Sequence, residues 1–338
     1  MPNRKLTKSF TLVVFIAFMF LYPILSRNMY WIHILSIVFI NVLLTSSLRT
    51  INLTGDVSLG TGGFLLVGAY GSALLAMKLG LSVWLSMLLG GLMTAITAFL
   101  LGFVVMRTKG VYFSIMTLLV SEILRLTMWY WKDLSGGSQG LNDIPRPNAI
   151  TIFGLKTITF DTRFTMYYFI LVIVALCLLA LFRLERSLGL PWTALKKSDV
   201  LSESIGIDVS GYRHVAFVIS CFFTGIAGAL FAHYMGLLEA SELGKFAMLS
   251  SIYIIIYMVV GGAGSFWGPI LGAGLLTIMP EIFRPLKEYQ PIFFGLLVIL
   301  IMFFMRQGLV SLPHNLRIGW IRVGRHLKKY AVQRVSSR

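Results

Sequence analysis

Acidic side chains are scarce in this sequence: 13 Asp and Glu stand against 29 Lys and Arg in 338 residues. All charged residues together make up 12% of the chain, about half the share of an ordinary soluble domain. There are two cysteines, Cys177 and Cys221, both inside apolar runs, and five scattered histidines. That stock supplies neither a disulfide framework nor a Cys/His metal cluster. Nucleotide loops are lacking as well. A P-loop ends Gly-Lys-Ser/Thr, but the one Gly-Lys here, Gly244-Lys245, is followed by Phe246. The dinucleotide fingerprint fails too, because Gly60-Thr61-Gly62 would need a glycine where Leu65 stands. With no His-Glu-x-x-His helix and no Ser/His/Asp set, the sequence predicts no catalytic residues, no metal and no cofactor.

What fills the chain instead is apolar: 57% of residues are hydrophobic and the mean hydropathy is +0.84. Such a composition predicts an all-α, polytopic membrane helical bundle forming one domain over residues 1–338. Apolar spans are read near 10–25, 30–48, 64–77, 83–106, 111–129, 164–182, 214–236, 247–260, 269–283 and 291–305, which makes about ten transmembrane helices. The first run follows a basic start and resembles a signal peptide, but no A-x-A cleavage site follows it, and it is read as a span.

A net charge of +16 and the basic tail 306–338 would suit nucleic acid in isolation. Membrane orientation accounts for them better. With the amino terminus inside, 19 Lys and Arg fall on the cytoplasmic side and nine outside, with Arg125 within a span. The positive-inside rule then places both termini in the cytoplasm and predicts a lipid membrane, not nucleic acid, as the partner.

Small residues at four-residue spacing, as in Gly225/Ala229, Gly228/Ala232 and Gly268/Gly272, let helices approach closely in lipid. The junction holding Gly55, Asp56, Ser58, Gly60, Thr61, Gly62 and Gly63 is denser. So many glycines favour irregular backbone, tolerated at membrane depth only against protein or a water-filled cavity, so these residues are pathway candidates. Gly262 and Gly264, within "VVGGAGSFWGP", are weaker ones. Glu122 and Arg125 sit inside a span at i,i+3 spacing. An internal ion pair anchoring the helix and a role in the pathway are both open. Finally, "WTALKKSDVLSESIG" (192–206) is a charged, helix-like stretch on the cytoplasmic side, ending at Gly206. A surface helix and a helix offered to a soluble partner would look alike.

In order along the chain, "VSLGTGGFLLVGAYGSALL", "RTKGVYFSIMTLLVSEILR", "LSGGSQGL", "SESIGIDVSGYRHVAFVISCFFTGIAGAL" and "VVGGAGSFWGPILGA" resemble the permease subunits of branched-chain amino-acid ABC importers, of the LivM type. The resemblance runs over roughly residues 30 to 310. It implies a bacterial inner-membrane permease that works with a LivH-like second permease, two ABC ATPase subunits and an extracytoplasmic substrate-binding protein to carry a small-molecule substrate. It also implies that 192–206 is the cytoplasmic coupling segment docking into the ATPase, with Trp192, Lys196, Glu203, Ser204 and Gly206 as its contacts. Ser204 stands where the family has Ala, and Lys197 where an acidic residue is common. Asp56 and Thr61 replace residues often Gln and His, which leaves urea, short amides, sugars or nucleosides beside Leu, Ile and Val as cargo. An ion-coupled secondary transporter is the rival class; it calls for mid-span acidic residues, and Glu122 alone qualifies.

Overall fold

The computed structural model describes residues 22–23, 28–152, 156–160, 162–241, 244–304 and 308–311. The span expected at 10–25 and the tail beyond 311 lie outside the described residues, apart from 22–23. Helices dominate: α1 (Met29–Asn52), α2 (Thr61–Lys78), α3 (Val83–Val105), α4 (Val111–Tyr130), α5 (Arg163–Lys197), α6 (Asp199–Ser204), α7 (Val209–Met235), α8 (Met248–Gly261), α9 (Trp267–Ile282) and α10 (Gln290–Phe304). The long connection between α4 and α5 carries a two-stranded antiparallel ribbon, β1 (Ile150–Ile152) and β2 (Lys156–Ile158), with Thr151 opposite Thr157.

Side-chain caps set several helix starts. Asn28 Oδ1 accepts from the Tyr30 N–H at 3.1 Å, and Asp208 Oδ1 accepts from the Gly211 N–H at 3.0 Å. Ser198 Oγ accepts from the Leu201 N–H at 3.3 Å and starts α6 afresh after α5.

The centre of the bundle is α1, α2 and α7. Every residue from Thr61 to Ala73 of α2 is buried, so no amphipathic stripe can be read there. Glycine decides how closely these helices pack. A Cβ on Gly68 would lie 2.3 Å from the Gly225 carbonyl oxygen, and one on Gly228 would lie 2.1 Å from that of Leu65. Backbone therefore touches backbone between α2 and α7. The outer helices turn apolar side chains outward, among them Leu92, Ile96 and Phe103 of α3 and Ile115, Leu119 and Ile123 of α4. In water such a belt would be a liability; in lipid, or against a second apolar subunit, it is the expected exterior.

Among the described residues five helices, α1, α3, α4, α5 and α7, are long and apolar enough to cross a membrane. The stretches read as spans near 247–260, 269–283 and 291–305 become helices of 14, 16 and 15 residues. Fourteen residues rise about 21 Å, short of a hydrocarbon core of about 30 Å.

Candidate functional site

Residues 53–60 leave the end of α1 without helical structure and run along one face of α4. The contacts climb that face turn by turn. Asp56 Oδ1 accepts from the Gly110 N–H (3.2 Å), the Val57 carbonyl from Ser114 Oγ (2.6 Å), and Thr117 Oγ1 from the Leu59 N–H (3.0 Å). Ser121 Oγ then accepts from the Gly63 N–H at 2.7 Å. The hydroxyls of α4 thus satisfy backbone groups that lipid could not. Thr61 consequently begins α2 well inside the bundle. Gly60 and Thr61 are buried, as are Asp56 and Ser58, whereas Gly55 is exposed with φ at +98°.

A second non-helical stretch reaches the same place from the opposite end. After α7, Leu238 pairs with Leu141 of the α4–α5 connection, and the Ala240 carbonyl accepts from Arg125 Nη1 at 2.9 Å. Phe246 and Ser251 then meet the start of α2: the Gly62 N–H donates to Ser251 Oγ at 2.9 Å, and a Cβ on Gly62 would lie 2.6 Å from the Phe246 carbonyl oxygen. Lys245 Nζ donates to Oδ1 of Asn41, midway along α1, at 2.6 Å. The amino ends of α2 and α8 therefore meet inside the bundle, as in the broken helices of transporter pathways. Sequence reading counted Lys245 among the outer charges, and only the fold of this stretch carries it inward.

Glu122 and Arg125 form the ion pair their spacing allows. Arg125 Nε lies 3.1 Å from both carboxylate oxygens. The two ends differ: the Arg125 side chain is 4% exposed and that of Glu122 is 38% exposed.

At the Asn52 end of the bundle, the segment 192–206 is two helices, not one. Trp192 and Lys196 belong to the last turns of α5. Trp192 is fully buried with its indole N–H donating to the Tyr212 carbonyl at 3.1 Å, and the Lys196 ammonium donates to the Asn52 side chain at 3.0 Å. Trp192 thus fills a pocket within its own chain. Glu203, Ser204 and Gly206 lie on or just beyond α6 and are exposed, with Gly206 at φ +85°. Beside them Val200, Leu201 and Ile205 are each about two-thirds or more exposed (74%, 65% and 68%).

A charge cluster underlies α6. Asp199, its first residue, accepts from Arg213 Nη2 at 3.1 Å and from Lys109 Nζ at 2.7 Å, while Arg213 Nε stands 3.5 Å from Asp56 Oδ2. Burial pushes the Asp56 carboxyl upward, against the opposing pull of Arg213 and the Gly110 N–H. Neither Arg213 nor Asp199 is among the site residues expected from the sequence. Their signal is the scarcity of charge, which makes any buried carboxylate in this chain an anomaly. Gly262 is buried at φ +104° and Gly264 exposed; between them the Ala263 carbonyl accepts from Arg49 Nε at 3.0 Å, and Arg49 also pairs with Glu185. The two glycines join α8 to α9 and lie apart from the meeting of α2 and α8 amino ends.

Residues 29–305 match the profile of a family described as branched-chain amino acid transport system / permease component. The chain is 34% identical over 280 residues to the high-affinity branched-chain amino acid transport system permease protein LivM of Escherichia coli (strain K12), covering 78% of this chain and 65% of that protein. The same-named protein of Salmonella typhimurium is 32% identical over 332 residues, covering 92% of this chain and 76% of its relative. The chain thus spans just under two thirds of the length of the first relative. None of the solved structures matches it. An apolar bundle with backbone satisfied by hydroxyls at its centre, matched by this family over nearly its whole described length, is a multi-pass membrane protein that belongs to the branched-chain amino acid permease family.

Proposed function

We propose that this chain is one of two permease subunits of an ATP-binding-cassette importer for branched-chain amino acids in a bacterial inner membrane. In this reading it crosses about ten times with both termini cytoplasmic, pairs with a LivH-like permease, and receives substrate from an extracytoplasmic binding protein. Two ATPases supply the energy. The observation that carries the reading is α6 with the residue that follows it: Val200 and Leu201 on the helix and Ile205 just beyond it are turned outward on the same end of the bundle as the basic connections. Three exposed aliphatic side chains within residues 200–205 are costly in water, and a groove in a soluble ATPase would cover them. The segment 199–206, not 192–206, is then the docking element, with Glu203, Ser204 and Gly206 at its surface. The meeting of the α2 and α8 amino ends marks the pathway, where half-helix ends and small residues face a passing amino acid.

The test is to purify the tagged chain from its own membranes and assay the vesicles. Two co-purifying ATP-binding proteins, with leucine uptake that requires ATP and survives collapse of the proton gradient, are expected. Uptake abolished by an ionophore and indifferent to ATP would instead establish an ion-coupled carrier.

A further inference from the structure

We propose that Arg213 is a positioning residue that transmits movement of the exposed helix α6 to the non-helical stretch 53–60 at the entrance to α2. This rests on the importer reading above. The guanidinium sits between two carboxylates on different elements: Nη2 contacts both Asp199 oxygens at 3.1 Å, and Nε faces Asp56 Oδ2 at 3.5 Å. Its side chain is 9% exposed and that of Asp56 is 3% exposed, so water screens the contact little. A planar guanidinium presents donors to both carboxylates in a fixed fork, a geometry the flexible ammonium of a lysine does not hold.

The mechanical setting fits a relay. α6 is a six-residue unit between an extended Ser198 (φ −166°, ψ 120°) and Gly206 at φ +85°, so it can tilt without unwinding α5 or α7. Asp199 opens α6 and moves with it. On the receiving side, Asp56 follows Gly55, which is exposed at φ +98°, and its other oxygen is held by the N–H of Gly110, itself at φ +60° with open space around it. The Asp199 contact is at hydrogen-bond distance. The Asp56 contact is longer, and neither Arg213 Nε nor Asp56 Oδ2 has a hydrogen-bond partner. A shift of under about 1 Å closes it into a charge-assisted hydrogen bond. From Asp56 the backbone leads through the α4 hydroxyl ladder to Gly62 and Gly63, at the proposed pathway.

The experiment compares Asp56→Asn, Arg213→Gln and Arg213→Lys with the wild type, each reconstituted in lipid vesicles with the ATPases that co-purify with the wild-type chain. Three quantities are measured: ATPase retained, ATP hydrolysed and leucine carried per ATP. Asp56→Asn keeps the side-chain shape and the acceptor for Gly110, so it tests the charge contact alone if Arg213→Gln fails to accumulate. The relay predicts ATPase retention within two-fold of wild type, leucine carried per ATP reduced at least five-fold in Asp56→Asn and Arg213→Gln, and an intermediate value for Arg213→Lys. An unchanged ratio in Asp56→Asn overturns the relay, and so does a loss of bound ATPase that accounts for the lost uptake. A wild-type chain without ATP-driven uptake overturns the importer reading and the relay with it, whereas wild-type uptake with unaltered variants overturns the relay alone.

Discussion

Arg125 and Glu122 show how unequal the two halves of an ion pair can be. Arg125 is buried and also donates to the Ala240 carbonyl, holding the stretch after α7 against α4, while Glu122 is partly open and bonds only to Arg125 among the contacts seen. Removing the arginine therefore strands a carboxylate and a backbone carbonyl together. Arg125→Ala is expected to cost about 3–5 kcal/mol, since it also removes the donor to Ala240, and Glu122→Gln about 2 kcal/mol, since the buried guanidinium keeps an amide acceptor but loses its counter-charge. Thermal inactivation of the detergent-solubilised protein, followed by size exclusion, measures the order. Equal losses would show that the carboxylate charge has a role the geometry does not display. The i,i+3 spacing made this pair legible from sequence. Ala240 was not, because its part in the contact is a main-chain oxygen more than a hundred residues away.

At the scale of elements, the stretch 192–206 divides by burial. Trp192→Ala opens a cavity in the core, costs about 3–5 kcal/mol, and should lower the amount of chain in the membrane. Glu203→Arg combined with Gly206→Leu touches only exposed positions, although a side chain at φ +85° adds about 1–2 kcal/mol of strain. That double variant should reach the membrane in near-normal amount yet lose roughly tenfold in uptake with reduced ATPase retention, because a reversed charge and an added side chain stand on the docking face. Normal retention with normal uptake would return α6 to the status of a solvated surface helix. Sequence predicted the stop at Gly206. It could not assign Trp192 and Lys196 to the preceding helix, since their apolar and charged neighbours read the same in either arrangement.

For the whole molecule, orientation follows from charge and is tested by access. With Cys177 and Cys221 replaced by Ala, a single cysteine at Leu79, which is 67% exposed in the α2–α3 turn, should react with a membrane-impermeant maleimide in intact cells. One at the exposed Arg107, in the α3–α4 turn, should react only after permeabilisation. The reverse pattern would invert the topology drawn from the excess of basic residues on one side.

Composition, hydropathy and charge by themselves determined that this is a membrane-embedded helical bundle, because too few polar groups exist to cover a soluble surface and apolar runs of span length follow one another. The family resemblance was carried by short ordered motifs, and the profile match over residues 29–305 rests on the same chain-wide order. Tertiary structure alone decided where the helices break and what the breaks meet. Glycine-rich backbone at 55–63 announces irregularity, but which hydroxyls satisfy it depends on α4 lying alongside. Likewise, Asp56, Asp199 and Arg213 are spread over more than 150 positions in the sequence and become one charge cluster only when three separate elements converge. Local patterning reports what a segment can pack against; partner identity is a property of the packed whole, where distance along the chain no longer measures distance in space.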